Sequence, residues 1–206
     1  MHVVLERVVS QITDEVRPLS AETAQLHPGG NAHVWSAQQV VEHLVLGYRL
    51  TTEALQARLN KGRLSRHGSR TKVQWLLQLM ILSFGRLPRG APARDVETPV
   101  EGGFPAMNGE QLAGLLRQEV EAMDAALDAC RQKFGMERVA PHPMLGFLRV
   151  DQWRRFHVVH GLHHVAQLRS VLAQVAATPV PIRINSRLAK EPEIPAERPV
   201  AKKNAI

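Results

Sequence analysis

Apolar residues recur every three or four positions along most of this chain, which is the helical period. Val4, Val8, Ile12 and Val16 fall four apart, predicting a helix from about His2 to Val16 that Pro18 ends or bends. After a loop containing His27-Pro28-Gly29-Gly30, Ser36-Ala37-Gln38-Gln39 reads as a capping box. Val41, Leu44, Tyr48, Leu55 and Leu59 then form a core-facing stripe ending near Gly62. A shorter apolar block from Thr71 to about Gly85 is expected to be a buried helix, because Trp75–Leu82 is far short of the ~20 residues that span a membrane.

The Pro- and Gly-rich stretch from Leu87 to Pro105 predicts a long connection. Asn108-Gly109-Glu110-Gln111 marks another helix start. Leu112, Leu116, Val120, Met123, Leu127, Cys130 and Phe134 continue it as a bundle seam that Gly135 closes. Pro141, Pro143 and Gly146 suggest a turn before a last helix from about Asp151 to Ala176. No strand-like alternation competes with these patterns. The expected fold class is all-α, a four-helix bundle with a short extra helix. The bundle should occupy residues 1–177, and the Pro/Lys-rich tail 178–206 should be disordered or laid over the surface.

Composition adds few constraints until charge is mapped. Hydrophobic residues make up 44% of the chain, enough for one core. The net charge of +7 is concentrated in nine basic residues between Ala54 and Arg94: Arg58, Lys61, Arg63, Arg66, Arg70, Lys72, Arg86, Arg89 and Arg94. No acidic residue interrupts them, and without them the chain would be slightly acidic. Such a patch can attract phosphates, acidic lipids or an anionic substrate, or simply be a solvated helix end and loop. It lacks the aromatic interleaving of a single-strand binder, so nucleic acid is not the expected partner. The N-terminus lacks the pattern of a secretory signal, and the single Cys130 fits a reducing cytoplasm. A cytoplasmic protein without membrane contact is the expectation. Cys130 itself, on an apolar seam, should be a packing residue.

The chemistry lies in the histidines. Five of ten fall between His142 and His164. At ~100° per residue, Trp153, His160, His164 and Val171 lie within roughly 40° of one another on the inward face of the last helix. His160 and His164, one turn apart, have the spacing that lets two imidazoles reach one metal. A third ligand should come from a facing helix, and His43 beside the Val41–Leu44–Tyr48 stripe is the best candidate. Three neutral imidazoles would leave a coordination position open for chemistry. Spacing alone leaves His163 as an alternative to His164, or as a group behind the ligands. It also allows His157 to pair with His160. Gln38 and Glu42 could orient ligands, although a solvated helix face is expected for Glu42. Neither a GxGxxG nor a GxxxxGK[ST] loop occurs, which removes nucleotide-dependent chemistry from the leading options.

Several of these residues together resemble a known family. Trp35-Ser36 with Gln39 and His43-Leu44, His142-Pro143 with Gly146, Gln152-Trp153, and His160-Gly161-Leu162-His163-His164-Val165-Ala166-Gln167 resemble the DinB-like (YfiT-like) metalloenzyme superfamily. The closing helix motif is the most specific part, and the likeness covers about residues 1–176. The resemblance implies one ligand from the second helix and two, four apart, from the last: His43, His160 and His164. It implies a single divalent metal, zinc or nickel, in a pocket at one end of the bundle, and a homodimer. Relatives of this kind include transferases and isomerases that use a low-molecular-weight thiol, and others are called hydrolases. The implied activity is therefore metal-dependent thiol transfer to, or hydrolysis of, a small-molecule substrate. Thiol transfer would profit from a positive surface near the metal, for which the basic segment is the candidate. The alternative is a non-catalytic binding module that uses segment 58–94 to engage an acidic partner.

Overall fold

Four long amphipathic helices bury their apolar stripes against one another in the computed structural model, which describes residues 1–64, 70–87, 95–100 and 103–177. They are α1 (Val3–Val16), α3 (Ala37–Lys61), α5 (Gly109–Phe134) and α6 (Val150–Ala177). Helix α3 packs most extensively on α5, and α1 on α6, which closes a four-helix bundle. Two short helices lie outside it, α2 (Ala21–Gln25) and α4 (Lys72–Gln78), the latter continuing as a π turn over Leu79–Ser83. The tail 178–206, with Arg66, Arg89 and Arg94, lies outside the described residues.

The sequence signals act where they were read. Ser36 Oγ accepts the Gln39 N–H at 3.2 Å while Gln39 Oε1 accepts the Ser36 N–H at 3.0 Å, closing the start of α3. Asn108 and Gln111 do the same for α5. Val41, Leu44, Tyr48 and Leu55 are buried from α3, and Leu112, Leu116, Val120, Met123, Leu127 and Cys130 from α5. In α1 the buried face is Leu5, Val8, Val9, Ile12 and Val16, while Val4 points outward.

Three expectations are corrected. Residues after α5 do not form a simple turn: β1 (Arg138–His142) and β2 (Gly146–Arg149) pair as an antiparallel hairpin, with Ala140 opposite Leu148 and His142 opposite Gly146. The prolines that hid this pairing sit at its end, where a missing N–H is tolerated. The block Trp75–Leu82 is not a buried helix, since only Gln78 and Ile81 are buried and Trp75 and Leu76 face solvent. Arg58 belongs to no surface patch: it is buried, and its Nε donates to the Val139 carbonyl at 2.9 Å.

Polar ties fix the ends of the bundle. Asp124 of α5 accepts from Arg154 Nε of α6 at 2.7 Å and from the His2 N–H at 2.6 Å. At the other end Gln38 holds the segment before α5, donating to the Pro105 carbonyl at 2.9 Å and accepting from the Met107 N–H at 3.0 Å. Helices α1 and α6 approach so closely at Gly161 that an added Cβ would lie 2.4 Å from Val8 Cγ1. That contact sets the position of α6 one residue away from His160.

Candidate metal centre

Early on α3, His43 points into the bundle with its ring tilted against Trp35, centroids 5.1 Å apart. Its Nδ1 lies 2.8 Å from the carbonyl oxygen of Glu97, in a short 3-10 turn over Asp95–Glu97. A carbonyl only accepts, so the neutral ring carries its hydrogen on Nδ1 and presents a bare lone pair at Nε2. His164 on α6 is held the same way, its Nδ1–H donating to Gln167 Oε1 at 2.7 Å. His160 stands one turn earlier, stacked on Phe156 with ring centroids 5.4 Å apart.

The three Nε2 atoms converge. His160 Nε2 is 3.1 Å from that of His43 and 3.0 Å from that of His164. All three potential ligand atoms lie within 4.8 Å of one another. Two lone pairs thus face a nitrogen that has at most one hydrogen to offer. Adding protons is opposed by the surroundings: burial pushes His160 well below the ordinary imidazole range, and the neighbouring His164 and His43 push it further. Burial likewise lowers His164 to about 3 and depresses His43, whose bond to the Glu97 carbonyl opposes the shift only in part. The rings are neutral at physiological pH, the state a metal requires of them. A divalent cation at the convergence would satisfy all three rings, and two of the three edges, at 3.0 and 3.1 Å, approach the roughly 3.3 Å edge of a tetrahedron with imidazole–zinc bonds of ~2.0–2.1 Å. The donor set fits a metal ion.

The other histidines fall outside this cluster. His163 is exposed, its ring edge-on to His164 at 5.1 Å. His157 is buried and does not pair with His160: its Nε2 lies 3.2 Å from Thr51 Oγ1, whose own hydrogen goes to the Gly47 carbonyl. The ring is therefore the donor there, and burial lowers its pKa to about 3. His142 closes the hairpin, with Nδ1 accepting the Met144 and Leu145 N–H groups at 3.2 and 3.3 Å. Glu42 is not on a solvated face. It is buried and accepts from Gln38 Nε2 at 2.8 Å, and desolvation raises its pKa against that bond. Cys130 is a packing residue, fully buried and with its thiol pKa raised by burial.

A cavity of about 720 Å³ opens onto the three histidines. Its walls are largely apolar and aromatic, including Trp35, Leu50, Trp153, Phe156 and Met144, with Thr51, His142 and Gln167 as polar points. Among the described residues lining it there is no Lys or Arg, and Glu97 is the one acidic residue. The basic segment therefore contributes Leu87 but no described basic side chain to the cavity. Two contributors carried no local signal: the Glu97 carbonyl, supplied by an irregular turn 54 residues after His43, and Thr51, one of several polar residues on α3.

No curated protein and no solved structure matches the chain. The family model of the DinB superfamily does match, over residues 5–168. With a four-helix bundle, a histidine from its second long helix and two from its last gathered in one buried cluster that could hold a metal ion, this chain belongs to the DinB superfamily.

Proposed function

We propose that this protein is a divalent-metal-dependent enzyme that hydrolyses a small, largely apolar substrate, with His43, His160 and His164 holding one zinc or nickel ion. The observation that carries the reading is the convergence of three imidazole Nε2 atoms at the wall of a cavity large enough for a small molecule. Three uncharged ligands would leave a bound cation its full charge, and such an ion would supply Lewis-acid polarisation of water or of a carbonyl group. The chain's own residues supply the rest. The Glu97 carbonyl and the Gln167 amide fix the tautomers of His43 and His164. Trp35, Trp153 and Phe156 exclude water and bind an apolar body. The Glu97 carboxylate is the candidate to accept a proton.

Thiol transfer is the second reading, since the same cation would favour a thiolate. A low-molecular-weight thiol bearing carboxylates would need cationic partners, whereas the largely apolar and aromatic described lining suits an uncharged ester or amide, which favours hydrolysis. The test is metal content by plasma mass spectrometry on the full chain beside a His160→Ala/His164→Ala variant, followed by ester and amide substrates with the metal found. About one metal per chain, lost in the variant, supports the centre. Wild-type protein that stays empty after incubation with zinc and nickel overturns it and favours the binding-module reading.

A further inference from the structure

The outward face of α4 and its π continuation is apolar where a surface helix is normally polar. Val73, Trp75, Leu76 and Phe84 are 66%, 57%, 51% and 66% exposed, and Leu79 and Met80 beside them are half-buried. Gln78 points the other way: it is buried and donates to the Leu145 carbonyl at 2.6 Å. Leu77, Ile81 and Leu82 pack on the core. At ~100° per residue the six outward apolar residues cover roughly half the circumference, interrupted only by Lys72 and Ser83.

Positive charge borders this face at both ends. Arg70 and Lys72 lie exposed at its start, and Arg86 and Arg155 at its end, where Arg155 Nε donates to the Leu82 carbonyl at 3.1 Å. Arg138 and Arg149, opposite each other on the hairpin, add a second rank close enough to Arg70 for their charge to disfavour its protonated form, after the larger effect of burial. Arg149 is paired with Asp151 at 3.3 Å, whereas no acidic residue from Ala54 to Arg94 balances Arg70, Lys72 and Arg86.

We propose that this face seats the protein on the surface of an anionic phospholipid bilayer, with Trp75, Leu76 and Phe84 in the interfacial layer and the flanking arginines and lysine on headgroup phosphates. Aromatic and aliphatic side chains bordered by Lys and Arg are the chemistry such an interface accepts. A second copy is the poorer occupant, because a two-fold pairing sets the same patch against itself and brings the basic borders together. Contact of this kind is interfacial: no helix among the described residues is long and apolar enough to cross a membrane. The proposal is independent of the metal centre and revises the sequence-based expectation of no membrane contact.

The experiment is sedimentation of the full chain with vesicles of pure phosphatidylcholine and of equal parts phosphatidylcholine and phosphatidylglycerol, at physiological salt. The mixed vesicles should carry the protein down and the neutral ones should not. Trp75→Ser/Phe84→Ser should weaken that partition by at least about tenfold, while circular dichroism and metal content stay at wild-type levels. Trp75→Phe should retain binding yet lose the blue shift in tryptophan emission that marks insertion. Absence of binding to the mixed vesicles overturns the proposal, as does equal binding by the double Ser variant. A wild-type dimer that the double variant converts to monomer, without vesicle binding, also overturns it and assigns the face to a second copy.

Discussion

His43 and His160, 117 residues apart, bring their Nε2 atoms to 3.1 Å, while the one ring hydrogen of His43 is committed on its far side to the Glu97 carbonyl. The contact is therefore made with a lone pair from His43; one hydrogen on His160 can serve that lone pair or the one from His164, whereas a cation serves both. Because the ligands are neutral and placed before binding, loading should stabilise the fold. Protein stripped with chelator should melt several degrees lower and regain its melting temperature with zinc or nickel, measured by calorimetry. His43→Ala should abolish that gain.

Replacing Gln167 with Leu removes the acceptor that orients His164. Metal affinity should fall about 10–100-fold with the fold intact, read by competition against a chromophoric chelator. Unchanged affinity would mean that Gln167 does not act on the site.

Glu97 separates two roles, because its backbone carbonyl holds His43 while its carboxylate is the proposed proton acceptor. Glu97→Gln should keep full metal content and lower hydrolytic kcat by about 10²–10⁴-fold. Loss of metal in this variant would show instead that the carboxylate supports the site.

Acid should destabilise the metal-free protein over a defined range. His157 titrates near 6.5 when unfolded and near 3 when folded, because burial opposes its charge. The unfolded chain binds the proton first, so the contribution is intact above pH 6.5, declines as pH falls below it, and is fully lost by about pH 3. His164 spans the same window. Each ring should steepen the loss by about 1.4 kcal/mol per pH unit within it. Urea titrations of the apoprotein across this range should show a shallower slope for His157→Leu.

Gly161→Ala places a methyl group against Val8 where the helices α1 and α6 meet, and should cost about 1–3 kcal/mol by denaturant unfolding. In a Val8→Ala background the same change should cost less, because the clashing Cγ1 is gone. Equal costs in both backgrounds would place the strain elsewhere.

Periodicity and capping by themselves determined the four bundle helices, because each helix must bury its own stripe whatever its partner is. The same logic brought His160 and His164 to one inward face, since their angular relation is set by a single helix. The sequence also marked His43, through its place beside a buried stripe and through the family motif, but left His163 and His157 open. Only the tertiary structure decided between them, because the 3.0–3.1 Å convergence depends on how α3 and α6 are packed, which Gly161 and Val8 help to set. The hairpin stayed hidden because its pairing is short and proline-bearing, and the Glu97 carbonyl because a backbone oxygen has no residue type to read. The exposed face of α4 was misread for a related reason: an apolar run reports affinity for an apolar surrounding, and not which surrounding the folded chain provides.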